Sequence, residues 1–317
     1  IPDSAIVNTT VELSKRSSLN KLSSVVNGIL RSAIRAKKNQ ITLPVPNNIE
    51  DKIAQSESIP KWLARELIVW QGEEKAEYIA KSFNRVPFID IRVNRILSNT
   101  SNIKKLFFSA GISSVDIKDC PYGIQIQERS GDIRNWPGYL EGEWCVQDRS
   151  AQWVSPLLDP KPNDRILDAC SAPGGKSTHL AELISDKGEI WAVDKSKKRL
   201  HQVLLNANRL NLTCLKFLQA DSCELLQHKP YWKNYFQKIL IDAPCSGLGT
   251  LARNPDARWK ISNSAINELV QLQAKLLDRL FPLLAEGGRI VYSTCTINPN
   301  ENQLQIKSFL SRYPQLK

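Results

Sequence analysis

The spacing of apolar positions changes twice along the chain, and each change predicts a different kind of structure. Leu19, Leu22, Val25, Val26, Ile29, Leu30 and Ile34 recur at three- and four-residue steps, the mark of an amphipathic helix that needs a partner. Pro44 and Pro46 break the chain, and after Pro60 a second helical run follows through Trp62, Leu63, Leu67, Ile68, Trp70, Ala76, Ile79 and Ala80. From 86 to 94 the period drops to two, which predicts a strand. A helical piece over 103–110, a strand over 122–127 and a loop marked by Gly131, Gly138 and Gly142 complete a small α+β module. Beyond it strands (166–168, 189–194, 215–221, 238–242, 289–293) alternate regularly with helices (176–184, 197–210, 264–284, 301–310). That alternation predicts an α/β domain with a doubly wound, Rossmann-like parallel sheet. The expected division is helical over 1–82, α+β over 83–150 and α/β over 151–317.

The first strand of the α/β part runs into Asp168-Ala-Cys-Ser-Ala-Pro-Gly-Gly-Lys176 and then a helix. Strand, glycine turn and helix form a nucleotide-binding opening, because glycines let the backbone approach a ligand and the helix N-terminus offers free N–H groups. The spacing matches neither the dinucleotide nor the P-loop fingerprint. Four successive strands end in a carboxylate: Asp168, Asp194, Asp221 and Asp242. Ligands bind at the carboxyl ends of such strands. Asp194, nineteen residues past Gly175, is placed for ribose hydroxyls, and Asp221 for an adenine amino group. A ribose and adenine without a triphosphate points to S-adenosylmethionine.

Composition narrows the setting. Hydrophobic residues make up 42% and charged residues 24%, an ordinary balance for a soluble globular protein, and no apolar run approaches the ~18 residues of a membrane span. The seven cysteines show no C-x-x-C spacing, which argues against a metal site or a disulfide framework and for a reducing compartment. The net charge of +11 favours a polyanionic partner. Two cysteines stand apart, since Asp242-Ala-Pro-Cys245 and Ser293-Thr-Cys295 each follow a strand and face the same cleft. Carbon 5 of a pyrimidine is too weak a nucleophile to take a methyl group directly. A thiolate added to carbon 6 creates an enamine that can, after which a base removes the carbon 5 proton and the thiol leaves. Cys245, Cys295 and Asp242 could share these roles, and spacing does not choose between the two thiols.

Together the glycine-turn, Asp-Ala-Pro-Cys and Thr-Cys motifs resemble the RNA 5-methylcytosine methyltransferases of the Fmu/Sun family, over about residues 86–317. The stretches 86–94 and 146–152 fit the same family's approach to its catalytic domain, and the N-terminal helices resemble part of a NusB-like RNA-binding domain. The resemblance is greatest to the bacterial subtype that acts on small-subunit ribosomal RNA. It implies a Rossmann-like S-adenosylmethionine-dependent methyltransferase domain, preceded by an RRM- or ferredoxin-like α+β module and a NusB-like helical segment. Cys170, Ser171, Ala172, Pro173, Gly174, Gly175 and Lys176 would wrap the methionine and ribose side of the cofactor. Asp194 would hold the ribose, Asp221 the adenine, and Asp242 the methyl-donor end and the target base, with Arg199 close by. Cys295 would be the nucleophile and Cys245 would assist release, the reverse of the DNA cytosine-5 enzymes. Cys170 is expected to do no chemistry.

The partner implied is RNA, ribosomal before transfer or large-subunit RNA, met by a monomer in the cytoplasm or in an organelle of bacterial descent, without membrane or metal. The target base must be unpaired or flipped out, and Arg253, Arg258, Trp259 and Lys260 are candidates for contacting its strand. A non-catalytic ribosome-assembly factor with the same fold would be expected to lack one of the cysteines or cofactor carboxylates, and none is missing. A DNA methyltransferase would carry a large insertion after Cys245. The start at Ile1, the absence of Met, and the lack of a closing β-hairpin after Arg312 read as a truncated chain.

Overall fold

The structure is a computed structural model that describes residues 2–41, 44–128 and 131–316. The chain forms two compact units, Ile1–Ser56 and Glu57–Lys317. In the first, helices Asp3–Lys15 and Ser23–Lys38 pack on each other, with Lys37 paired to Asp3 at 3.1 Å. The partner expected for the amphipathic helix is therefore Asp3–Lys15. Its apolar spacing is obscured by Ser, Thr and Asn, and only Val7 and Ser14 are buried on it. Leu19, Leu22, Val25 and Ile29 remain exposed.

The second unit holds helices Lys61–Gln71 and Glu73–Ser82 together with both sheets. Among the described residues nine strands follow in chain order: β1 (Ile89–Val93), β2 (Ser114–Asp116), β3 (Gly123–Ile126), β4 (Trp144–Val146), β5 (Arg165–Asp168), β6 (Glu189–Asp194), β7 (Leu215–Gln219), β8 (Phe236–Asp242) and β9 (Leu284–Ser293). The first four make an antiparallel sheet in the order β2-β3-β1-β4. Helix Thr100–Ser109 covers it with Ile103 and Phe107, which join Ile91, Val93, Ile124 and Trp144 in one core. The other five make a parallel sheet in the order β7-β6-β5-β8-β9. Alternate residues serve opposite faces: Ile166 packs with Leu180, Ile190 and Val203, while Leu167 packs with Ile239, Leu276 and Leu280. The strand order reverses between β5 and β8, and such a reversal opens a crevice at the carboxyl ends.

Strands β2 and β4 were not expected, because three residues carry no readable period. β9 begins at Leu284 rather than 289, since its first half, Leu284-Ala-Glu-Gly-Gly288, has no apolar alternation. β7 stops at Gln219, so Asp221 caps the turn Ser222–Glu224 instead of ending the strand.

One buried cation joins the small sheet to the glycine-turn helix. Arg92 of β1 is fully buried and meets Glu182 through Nη2 to Oε1 at 2.6 Å and Nε to Oε2 at 3.0 Å. It also donates to the Gly175 carbonyl at 2.8 Å, to Thr178 Oγ1 at 3.1 Å and to Gln147. A guanidinium is tolerated there because its planar fork finds an acceptor in every direction. Arg92→Ala would leave Glu182 buried and unpaired. Urea unfolding should then show a loss of about 3–5 kcal/mol, and a loss below about 1 kcal/mol would contradict this role.

Candidate active site

The carboxyl ends of β5, β6 and β8 and the loops after β7 and β9 enclose a cleft of about 420 Å³. Cys170, Ala172, Lys176, Asp194, Asp221, Asp242, Cys245 and Cys295 all line it. Ser171, Pro173, Gly174 and Gly175 do not line it; they shape the turn beneath it. Gly174 has φ +104°, and a Cβ there would meet Val203 Cγ1 at 2.9 Å and its Cα at 3.0 Å, so only glycine fits. Asp168 lies fully buried below the turn, receives Ser177 Oγ at 2.6 Å, and leaves Oδ1 without a partner. Burial pushes its carboxyl up to about 7, against the Ser177 hydrogen bond.

On one side of the cleft Asp194 accepts from the Ser196 amide at 2.8 Å, while Arg199 lies 3.8 Å from it and donates to the Ala172 carbonyl at 2.8 Å. Asp221 accepts from the Cys223 amide at 2.9 Å and pairs with Lys195 at 3.0 Å. Burial alone would raise the Asp221 carboxyl, but these two contacts outweigh it and hold it below the ordinary range. On the other side Lys176 Nζ meets Asp242 Oδ2 at 2.6 Å, and Ser293 Oγ donates to Asp242 Oδ1 at 2.9 Å. Leu272, Leu276 and Pro244 give the cleft an apolar wall. Carboxylates that accept from hydroxyl and amino groups, beside an apolar wall, fit an adenosyl cofactor.

A second cleft of about 570 Å³ adjoins the first and shares Lys176 and Cys295 with it. Pro87, Phe88, Asp148, Arg149, Thr250, Arg253 and Thr294 line its far side. The two thiols stand at the junction, with Sγ atoms 3.3 Å apart. Two ligands, one in each cleft, would meet at Lys176 and Cys295.

The family described as 16S rRNA methyltransferase RsmB/F matches residues 155–317, and the NusB family matches residues 1–35. The probable ribosomal RNA small subunit methyltransferase B of Synechocystis sp. is 39% identical over 310 residues, 98% of this chain and 69% of that protein. The chain belongs to the RsmB/F family of RNA methyltransferases. The ribosomal RNA small subunit methyltransferase B of Shewanella oneidensis is 35% identical over 322 residues, covering 100% and 71% of the two chains. Among solved structures, a methyltransferase homolog protein from Pyrococcus horikoshii aligns with a TM-score of 0.74 at 28% identity, over 84% of this chain and 83% of that one.

In this RsmB/F chain the two thiols are electrostatically unequal. Cys295 is exposed and Cys245 half-buried. The two sulfurs are within hydrogen-bond reach, and a bond from the Cys245 thiol to a Cys295 thiolate, with help from the Lys176 charge, brings Cys295 down to about 7 against the opposing effects of burial and Asp242. The same contact and burial push Cys245 far up. Cys170 is also pushed far up, by burial first and then by the surrounding carboxylates.

The residues that hold the thiols together were not expected from the sequence. Glu301 is fully buried and accepts from the Ser246 amide at 2.8 Å, from Ser246 Oγ, and from Gln273 Nε2 at 3.0 Å. Gln273 also donates to the Pro244 carbonyl at 2.9 Å, and Ser246 Oγ meets Thr296 Oγ1 at 2.7 Å. A Cβ on Gly249 would come within 2.9 Å of the Cys295 carbonyl, so a glycine lets the two loops touch. Glu301 sits in the motif-rich stretch after β9, but nothing in its spacing distinguishes it from a solvated helix-start carboxylate.

Of the four residues expected to contact the target strand, Arg253 lines the second cleft, where it pairs with Asp148 and donates to the Phe88 carbonyl at 3.2 Å. Trp259 is exposed, as is Lys260, which pairs with Asp256. Arg258 is not available. It is buried and donates to the Glu57, Ser58 and Phe83 carbonyls and to Asn84 Oδ1, tying the helices before β1 to the loop after Cys245. Iodoacetamide should alkylate Cys295 first, with a rate that rises through about pH 7, while Cys245 reacts slowly. Peptide mapping that finds Cys245 modified first would contradict the inequality of the pair.

Proposed function

We propose that this protein methylates carbon 5 of a cytosine in small-subunit ribosomal RNA, with S-adenosylmethionine in the first cleft and the target base in the second. The reading rests on one observation above all: the acidic Cys295 thiol lies at the junction of the clefts, with the Cys245 sulfur at 3.3 Å. The names of the relatives and the net charge of +11 favour ribosomal RNA as the polyanion. Among the described residues no helix is long and apolar enough to cross a membrane.

When bound, S-adenosylmethionine supplies an electrophilic methyl group. Asp194 and Asp221 would hold its ribose and adenine, and Lys176 holds Asp242 beside the cleft. Cys295, a thiolate near neutral pH, adds to carbon 6 of the base and makes carbon 5 nucleophilic. Cys245 then changes character. While Cys295 is a thiolate, Cys245 is held protonated against it; once Cys295 is a thioether that charge is gone, and Cys245 ionises more readily. Having lost its own proton to solvent, the Cys245 thiolate takes the carbon 5 proton after methyl transfer, and Cys295 leaves as the thiolate. The helices before β1 and the small sheet select the RNA.

Cys295→Ala should abolish tritium transfer from labelled S-adenosylmethionine to small-subunit RNA from cells lacking the protein. Cys245→Ala should accumulate an RNA–protein adduct that survives denaturing electrophoresis; an adduct from Cys295→Ala would reverse the roles. Single-turnover methylation should rise about tenfold per pH unit below about 7 and level off above it, following the Cys295 thiolate. Bisulfite sequencing of ribosomal RNA with and without the gene then names the nucleotide, and an unchanged pattern across the small subunit would refute that substrate.

A further inference from the structure

We propose that the outer face of helix Thr100–Ser109 is a docking groove for a single-stranded segment of the substrate RNA, separate from the methylation site; this rests on the RNA-methyltransferase reading. The helix buries Ile103 and Phe107 completely. Its other face carries Ser101, Lys104, Lys105, Phe108 and Ser109 at helical spacing. These residues line a groove of about 820 Å³, closed on the far side by the stretch 111–114 leading into edge strand β2.

Phe108 is 85% exposed in the middle of this polar face. An uncovered ring forgoes roughly 2–3 kcal/mol of burial, and nothing in the core of the small sheet requires it there. Around it the groove offers hydroxyls from Ser101, Ser109, Ser113 and Ser114, two lysines and no carboxylate. Lys104 pairs with Asp116 outside the groove, and Lys105 has no acidic partner among the described residues. Ammonium and hydroxyl donors around one free aromatic face suit a phosphate backbone with a base stacked on the ring. A protein-docking groove would present a broader apolar patch. Here the only other large apolar lining residue, Ile112, is itself buried.

The test compares the whole protein with Phe108→Ala, Phe108→Tyr and Lys105→Gln. Affinity is read with a fluorescent single-stranded oligoribonucleotide and turnover with unmethylated small-subunit RNA. Phe108→Ala should weaken RNA binding and raise the KM for RNA about 5- to 100-fold, as expected for one stacked base, with kcat and the KM for S-adenosylmethionine unchanged. Phe108→Tyr should restore both, and Lys105→Gln should reduce the salt dependence of binding by about one counterion. RNA affinity within about twofold of wild type in Phe108→Ala would overturn the proposal. If sedimentation showed an altered self-association instead, the groove would belong to protein contact and the proposal would equally fall. A wild-type protein that transfers no methyl group to RNA would refute the functional reading alone, because the oligonucleotide comparison still decides the groove.

Discussion

A buried carboxylate, paired with no cation among the described residues, holds the two cysteine loops together. Glu301 ends the turn Pro299–Glu301 just before helix Gln303–Arg312, yet three donors from two other segments converge on it. An isolated buried carboxylate would be costly, and hydrogen bonds from Ser246 and Gln273 are what make it tolerable. The consequence is geometric. The loop after β8 and the loop after β9 come from neighbouring parallel strands, and strand pairing alone sets their roots, not their tips. Glu301 fixes the tips, and with them the 3.3 Å contact between Cys245 and Cys295.

That contact turns two similar residues into different reagents. Hydrogen bonding between neighbouring thiols stabilises one thiolate at the expense of the other, and the more exposed Cys295 is the one that gains. In the proposed reaction the same contact cancels itself during turnover, since a thioether at Cys295 would remove the charge that kept Cys245 protonated. Two cysteines there serve as nucleophile and base, while Lys176 stands where both clefts can use it and Asp242 lines the first. Arg92 extends the same logic outward, fixing the glycine-turn helix to the small sheet so that Lys176 starts from a defined position.

Much of this was legible in the chain. Regular alternation of short apolar runs with helices gave the parallel sheet, and the carboxylates and cysteines at strand ends gave the cleft, because period and position are local properties. What was not legible depends on distant pairing. Strands β2 and β4 are too short for a pattern and exist because β1 and β3 offer edges. Arg258 reads as a surface cation until the helices before β1 surround it with carbonyls. Glu301 and Arg92 look like any solvated charges, and only burial reveals them as fasteners. The glycine turn also proved more structural than its motif suggests: Gly174 is required by Val203 behind it, while Ala172 and Lys176 face the cleft.

By holding the two loops in register, Glu301 also sets the acidity of Cys295. Titrating the ultraviolet absorbance of thiolate in the wild-type protein and in Glu301→Ala tests it most directly. The wild type should show one thiol ionising at about 7. In the variant that midpoint should move toward the ordinary cysteine value of about 8.5, with the fold retained. A midpoint that stays at about 7 in Glu301→Ala would show that Glu301 does not set the Cys295 acidity.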